Sequence, residues 1–219
     1  MPYDSVFTEV ARHAVVPVIA IDSAEIALQL ADALLEGGLP LAEITFRTAA
    51  AAEVIAQLTR HRPELLVGAG TLLSEENVRM AKAAGARFAV APGFNPVVVR
   101  HAEKAELPFA PGVCTPSEIE QALCFGCRIV KFFPAEASGG VEMVKALAGP
   151  YSHTGIRFIP TGGVNTGNLQ RYLSLPAVAA VGGTWIAGRD DLTGGRWKAI
   201  RDRCKEAVEI VRQARGLAP

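Results

Sequence analysis

The sequence is poor in most of the residues that would announce a specialised role. Four cysteines and four histidines are scattered through 219 residues, too few and too dispersed for a disulfide framework. None of His13, His61, His101 or His153 falls at the end of an expected strand, and no His/Asp/Glu group has metal-ligand spacing, so no metal is expected. Cys124-Phe-Gly-Cys127 lacks a second pair and precedes a strand rather than a helix, which argues against structural zinc and thiol redox chemistry; Cys114 reads as a small packed residue. Excess charge is also missing: 22 basic residues balance 22 acidic ones, and Trp185 and Trp197 have no basic surroundings. Neither nucleic acid nor an anionic membrane is therefore an expected partner. No apolar run approaches the roughly 18 residues of a membrane-spanning helix. The stretch Met1–Val10 has neither the basic start nor the apolar middle of a signal peptide, and a cytoplasmic location is expected.

What is present is repetition. Short apolar runs alternate with helical patterns: strands are expected at 15–21, 41–46, 65–70, 88–93, 108–113, 129–134, 157–163 and 178–185. Helices are expected at 49–60, 75–84, 96–105, 116–125, 140–148, 167–174 and about 195–214, with a further one opened by Asp22-Ser-Ala-Glu25 as a capping box and closed by Gly37-Gly38. Thr115-Pro-Ser-Glu118 carries cap, N1 proline and N3 glutamate together. Eight strand–helix units at a spacing of about 22 residues imply an α/β fold with a parallel sheet. The economical arrangement is a single (β/α)8 barrel covering 1–219, preceded by a short extra helix at 4–12 with Val6, Val10 and Phe7 facing inward. An open doubly wound sheet would usually carry a glycine-rich turn after its first strand, and Ala20-Ile-Asp-Ser-Ala24 has none.

Against this apolar pattern the run Ile129-Val-Lys-Phe-Phe-Pro134 stands out. Its lysine sits mid-strand, whereas the other lysines all lie in stretches that read as solvated helix. The second strand, Leu41-Ala-Glu-Ile-Thr-Phe-Arg-Thr48, is the other exception. Side chains alternate across a sheet, so Glu43, Thr45 and Arg47 share one face while Ala42, Ile44 and Phe46 share the helix-facing one. The bland readings are an internal Glu43–Arg47 ion pair and, for Lys131, a snorkelling or ion-paired lysine with Glu136 as partner. The chemical reading is a lysine inside the barrel, among apolar walls and near a cation, acting as a nucleophile towards a ketone or aldehyde. Glu43 would then shuttle protons and Arg47 would hold a substrate carboxylate. Pro160-Thr-Gly-Gly163 and Val181-Gly-Gly-Thr-Trp185 end the last two strands, where barrels of this kind commonly hold phosphate on backbone N–H groups; the bland reading is tight turns.

Taken together, Glu43-Ile-Thr-Phe-Arg-Thr48, Gly68-Ala-Gly-Thr71, Lys131-Phe-Phe-Pro-Ala-Glu136, Pro160-Thr-Gly-Gly163 and Gly182-Gly-Thr-Trp185 resemble, in order and spacing, the class I 2-keto-3-deoxy-6-phosphogluconate (KDPG) aldolase family, which includes the 4-hydroxy-2-oxoglutarate aldolases. The resemblance implies a homotrimer of (β/α)8 barrels without metal or organic cofactor. It makes Lys131 the Schiff-base residue and Glu43 the general acid/base. Arg47, Thr71 and Thr161 would bind the pyruvate-derived carboxylate, Pro92 and Phe133 would line the site, and Gly162, Gly163, Gly183 and Thr184 would hold the phosphate. Thr184 stands where the family has serine, and Ala91 where it often has serine. The expected reaction is reversible cleavage of the phosphorylated keto-deoxy sugar acid to pyruvate and glyceraldehyde 3-phosphate. The open alternatives are 4-hydroxy-2-oxoglutarate or the phosphogalactonate epimer as substrate, or a phosphate-binding isomerase or sugar-phosphate binding protein that forms no imine.

Overall fold

A computed structural model of the chain describes residues 2–216; Met1 and residues 217–219, the ends of the expected 1–219 domain, lie outside the described residues. The strands are β1 (Val15–Ile19), β2 (Leu41–Thr45), β3 (Leu66–Gly70), β4 (Phe88–Val90), β5 (Phe109–Ala110), β6 (Gly112–Val113), β7 (Ile129–Phe132), β8 (Arg157–Pro160) and β9 (Val181–Gly183). The helices are α1 (Pro2–His13), α2 (Ala27–Glu36), α3 (Ala51–His61), α4 (Glu75–Ala83), α5 (Pro96–Lys104), α6 (Pro116–Cys124), α7 (Gly140–Tyr151), α8 (Thr166–Leu173), α9 (Arg189–Thr193) and α10 (Trp197–Arg215). All strand pairs are parallel. They form a six-stranded sheet in the order β5-β4-β3-β2-β1-β9 and a three-stranded sheet in the order β6-β7-β8.

The sheet curls, and its two faces bury two cores. Ala42, Ile44, Val67, Ala69, Val130, Phe132 and Phe158 belong to the larger core, which they share with buried helix residues such as Leu30, Ile55, Val98 and Ile119. Their neighbours along the same strands, Val16, Leu41, Leu66, Phe88, Ala110 and Ile159, form the smaller, inner one. Alternation along a strand explains this partition: a shift of one residue moves a side chain to the other face. The inner core includes Phe7, Val10 and Ala11 of α1, with Phe7 edge-on to Phe88 at 6.0 Å between ring centroids. Helix α1 therefore closes the N-terminal end of the curled sheet with the three residues expected to face inward among its contacts.

Several boundaries differ from expectation for identifiable reasons. The expected strand 108–113 is split at Pro111, which has no N–H to donate to a ladder. The expected strands at 15–21, 88–93, 157–163 and 178–185 are shorter, because their C-terminal residues leave the ladder to build loops. The cap of the second helix is Ser23, whose hydroxyl accepts from Glu25 N–H at 3.2 Å; a 3-10 turn at Ala24–Ile26 follows before α2. The Thr115–Glu118 capping box forms in both halves. The short helix α9 has no counterpart in the expected pattern. Among the described residues no helix is long and apolar enough to cross a membrane.

Candidate active site

The inner face changes character along the strands. Two residues beyond Leu41 on β2 lies Glu43; two beyond Ile129 on β7 lies Lys131; two beyond Ile159 on β8 lies Thr161. Lys131 is 5% exposed and Glu43 2% exposed. Lys131 Nζ donates to Glu43 Oε1 at 3.1 Å and sits 3.5 Å from Oε2, although 88 residues separate them. A charged pair taken out of water stabilises a fold little, because desolvation offsets most of its attraction, so its presence here asks for a chemical reason.

The surroundings make room for that pair. Gly70 on β3 lies against Glu43, and a Cβ there would stand 2.1 Å from Oε1. Gly112 is in register with Lys131, and a Cβ on it would meet the Pro92 carbonyl oxygen at 2.1 Å. Phe133 follows on the same loop; Lys131 Nζ is 5.9 Å from the centre of its ring. Thr71, immediately after Gly70, has φ +61°. A β-branched residue in the left-handed region is a backbone outlier costing about 1–3 kcal/mol, and such strain is concentrated at functional positions.

Arg47 stands at the rim, exposed, with its Nε donating to Thr45 Oγ1 at 3.1 Å. Thr45 in turn is 1% exposed and donates to the Ile19 carbonyl at 3.1 Å, which ties the arginine to β1 through β2. The bland expectation of a Glu43–Arg47 ion pair is thus corrected: Glu43 takes Lys131, and among the described residues Arg47 has no acidic partner. The alternative Lys131–Glu136 pair is corrected too, since the Glu136 carboxylate accepts from the Tyr172 hydroxyl. The charged group that touches Lys131 is the Glu43 carboxylate.

The glycine-rich ends of β8 and β9 come together at an isolated bridge between Thr161 and Gly182. Gly162 and Gly163 have φ of +101° and +80°, which side chains rarely adopt. Gly162 also faces the Phe133 ring, Gly163 faces Glu136, and Gly183 packs directly on the Trp185 indole. Ala135 and Glu136 donate their backbone N–H groups to Thr161 and Gly162 carbonyls at 2.8 and 3.0 Å, joining the lysine loop to the glycine loop. Thr184 is exposed at the mouth. Sequence reasoning passes over Tyr172, Asp191 and Arg203, which brace these loops, and places Thr45 on the inner face of β2 without giving it the role of anchoring Arg47.

The thiols stand apart from this chemistry. Burial pushes the Cys127 thiol up to about 11 and that of Cys204 up to about 12, where neither is a ready nucleophile.

The family model for KDPG and KHG aldolase matches residues 6–203. The chain is 46% identical to the 2-dehydro-3-deoxy-phosphogluconate aldolase of Haemophilus influenzae, over 90% of this chain and 92% of that one. It is 40% identical to the KHG/KDPG aldolase of Escherichia coli K12, over 89% and 91% of the two chains. The crystal structure of KDPG aldolase from Legionella pneumophila, with pyruvate captured at low pH as a covalent carbinolamine intermediate, superposes with a TM-score of 0.87 at 39% identity, covering 94% of this chain and 98% of that one. The chain belongs to the KDPG and KHG aldolase family.

Proposed function

We propose that this protein is a class I aldolase, a carbon–carbon lyase that cleaves KDPG reversibly to pyruvate and glyceraldehyde 3-phosphate through an imine on Lys131. The observation that carries the reading is the buried Lys131–Glu43 contact of 3.1 Å, set at the C-terminal end of an otherwise apolar inner face. Active sites on parallel α/β barrels occupy that end.

In this mechanism the Lys131 amine attacks the C2 ketone, and Glu43 takes the proton that the amine must lose. Glu43 returns a proton to the carbinolamine hydroxyl, water leaves, and the protonated imine becomes the electron sink. Glu43, through a water, then removes the C4 hydroxyl proton as the C3–C4 bond breaks; the electron pair enters the imine as an enamine and the aldehyde departs. Protonation at C3 and hydrolysis release pyruvate and restore the amine. The imine supplies the sink that a metal or organic cofactor would otherwise provide, so the reading requires neither.

Arg47, Thr71 and Thr161 are proposed to bind the substrate carboxylate, Pro92 and Phe133 to line the site, and Gly162, Gly163, Gly183 and Thr184 to hold the phosphate. Support comes from the Arg47 guanidinium, anchored on Thr45 without an acidic partner among the described residues, the strained Thr71 backbone and the bridge between the two glycine loops. The strands are proposed to close as one eight-stranded (β/α)8 barrel, with α1 as an added element. β5 and β6 flank Pro111 as halves of one strand, and the bridges Phe158–Val178 and Thr161–Gly182 join β8 to β9. A single domain over 1–219 is supported by a core that runs from Ala14 to Val211. The homotrimer rests on the family resemblance and the cytoplasmic location on the composition and the Met1–Val10 stretch; light scattering of the purified protein measures the first.

The test is incubation with pyruvate and sodium borohydride, followed by intact mass and peptide mapping. A reduced pyruvate adduct on Lys131, absent from Lys131→Ala, is expected. No adduct on folded protein in excess pyruvate overturns the aldolase reading and leaves the isomerase and binding-protein alternatives. A second substrate, 4-hydroxy-2-oxoglutarate, is favoured by a family model that spans both aldolases; cleavage rates on it, on KDPG and on the phosphogalactonate epimer rank the three.

A further inference from the structure

The short helix α9 and the last helix, α10, meet in a cluster of charge that the reaction does not use. Arg203 Nη1 donates to the backbone carbonyls of Trp185 and Ile186, at 3.2 and 2.8 Å, and to Asp191 Oδ2 at 2.7 Å. The other Asp191 oxygen accepts from Arg196 Nε at 2.7 Å, and Oδ2 also accepts from Gly188 N–H at 3.3 Å. Asp191 is 7% exposed. One buried carboxylate thus gathers the backbone at Gly188 and two arginines, and one of these arginines reaches on to the two carbonyls that follow Gly183 and Thr184.

The same loop is also held at Gly183. A Cβ on Gly183 would stand 1.6 Å from Trp185 Cζ3, so the six-membered ring of the indole packs directly against the glycine. Its Nε1 is buried with no hydrogen-bond partner among the described residues. A donor left unsatisfied is costly, which marks the ring as placed for its shape. The indole against Gly183 and the guanidinium on the two following carbonyls leave the loop few alternatives. The Arg203 guanidinium, with Arg196 beside it, holds the Asp191 carboxyl well below the usual carboxylate range, so the cluster stays charged throughout ordinary pH.

We propose that Arg203 and Asp191 are positioning residues that hold the loop after β9 in the form that binds the phosphate of the substrate, and that they set the preference for phosphorylated over unphosphorylated keto-deoxy acids. This rests on the aldolase reading and deepens it. Neither residue contacts Lys131 or Glu43, which sit on β7 and β2, so the effect separates from imine formation.

The test compares a phosphate-dependent with a phosphate-independent readout. Arg203→Ala is expected to raise KM for KDPG by about tenfold, the size of a modest misplacement of a binding group, with kcat changed far less. Competitive inhibition by inorganic phosphate is expected to weaken in step. Exchange of pyruvate methyl protons into D2O and cleavage of 2-keto-3-deoxygluconate, which lacks the phosphate, should stay within about twofold of wild type. Arg203→Lys, which keeps a cation but not the fork, should recover part of the loss. An unchanged KM for KDPG overturns the proposal, as does an equal fall in the phosphate-independent rates. If Arg203→Ala does not fold, Asp191→Asn and Arg203→Lys carry the same comparison, and the same two results overturn it. Wild-type protein that fails to exchange pyruvate protons would instead sink the underlying aldolase reading.

Discussion

The two ends of the curled sheet's inner face are built from the same strands and serve opposite purposes. At the N-terminal end Leu41, Leu66, Phe88 and Ile159 pack on Phe7 and Val10 of α1. One pleat further along, Glu43, Lys131 and Thr161 are buried instead, and Gly70 takes the place where a side chain would crowd them. Strand geometry makes this division simple, since residues two apart share a face. The apolar end holds the strands in register, and register is what brings Lys131 within 3.1 Å of Glu43. Rigidity at one end thus serves chemistry at the other, where stability is given up for a buried ion pair and a strained Thr71.

The sharpest way to break the comparison is to make the two ends alike. Lys131→Met with Glu43→Leu continues the apolar pattern into the site. Activity should fall by at least about four orders of magnitude, more than about 5 kcal/mol of transition-state stabilisation. The melting temperature should equal or exceed that of wild type, because replacing a buried ion pair with apolar residues is often neutral or stabilising; calorimetry and a coupled assay measure the two together. The converse change is Phe88→Ala at the apolar end. It should cost about 3–5 kcal/mol in urea unfolding, while pyruvate adduct formation on the folded fraction persists. A smaller effect is expected where the ends meet. Gly70→Ala places a methyl against the Glu43 carboxylate and should lower kcat about a hundredfold, or about 2.7 kcal/mol; retention of full activity would show that Glu43 is not held where the mechanism needs it. The smallest effect concerns Asp191, whose folded pKa is depressed by Arg203 and Arg196. Its stabilisation is complete above the unfolded value of about 3.9 and is lost as pH falls below it. The melting-temperature gap between wild type and Asp191→Asn should therefore be constant from neutral pH to about 5 and shrink below about 4.

Much of this division is legible in the sequence. A charge in an apolar strand is conspicuous, and period-two alternation assigns Glu43 and Lys131 to their faces. Their partnership is not legible: Arg47 and Glu136, near in sequence, are the candidate partners there, and a contact across 88 residues depends on sheet register. Arg203 stays hidden because a charged residue on a terminal amphipathic helix looks the same whether it meets water or two carbonyls, and Asp191 because the short helix α9 that carries it leaves no periodic signal. The split at Pro111 is written in the sequence, since proline lacks the ladder donor; the length of the flanking run outweighs it.

The tether at Lys131 bears on the order of events in turnover. Phe7 and Val10 fill the floor of the inner face, while Arg47 and Thr184 are exposed at its other end. Pyruvate, tethered to Lys131 as the enamine, leaves only after the aldehyde has gone. Release is sequential by chemistry, and in the condensation direction pyruvate enters first, because the enamine must exist before an aldehyde can add to it.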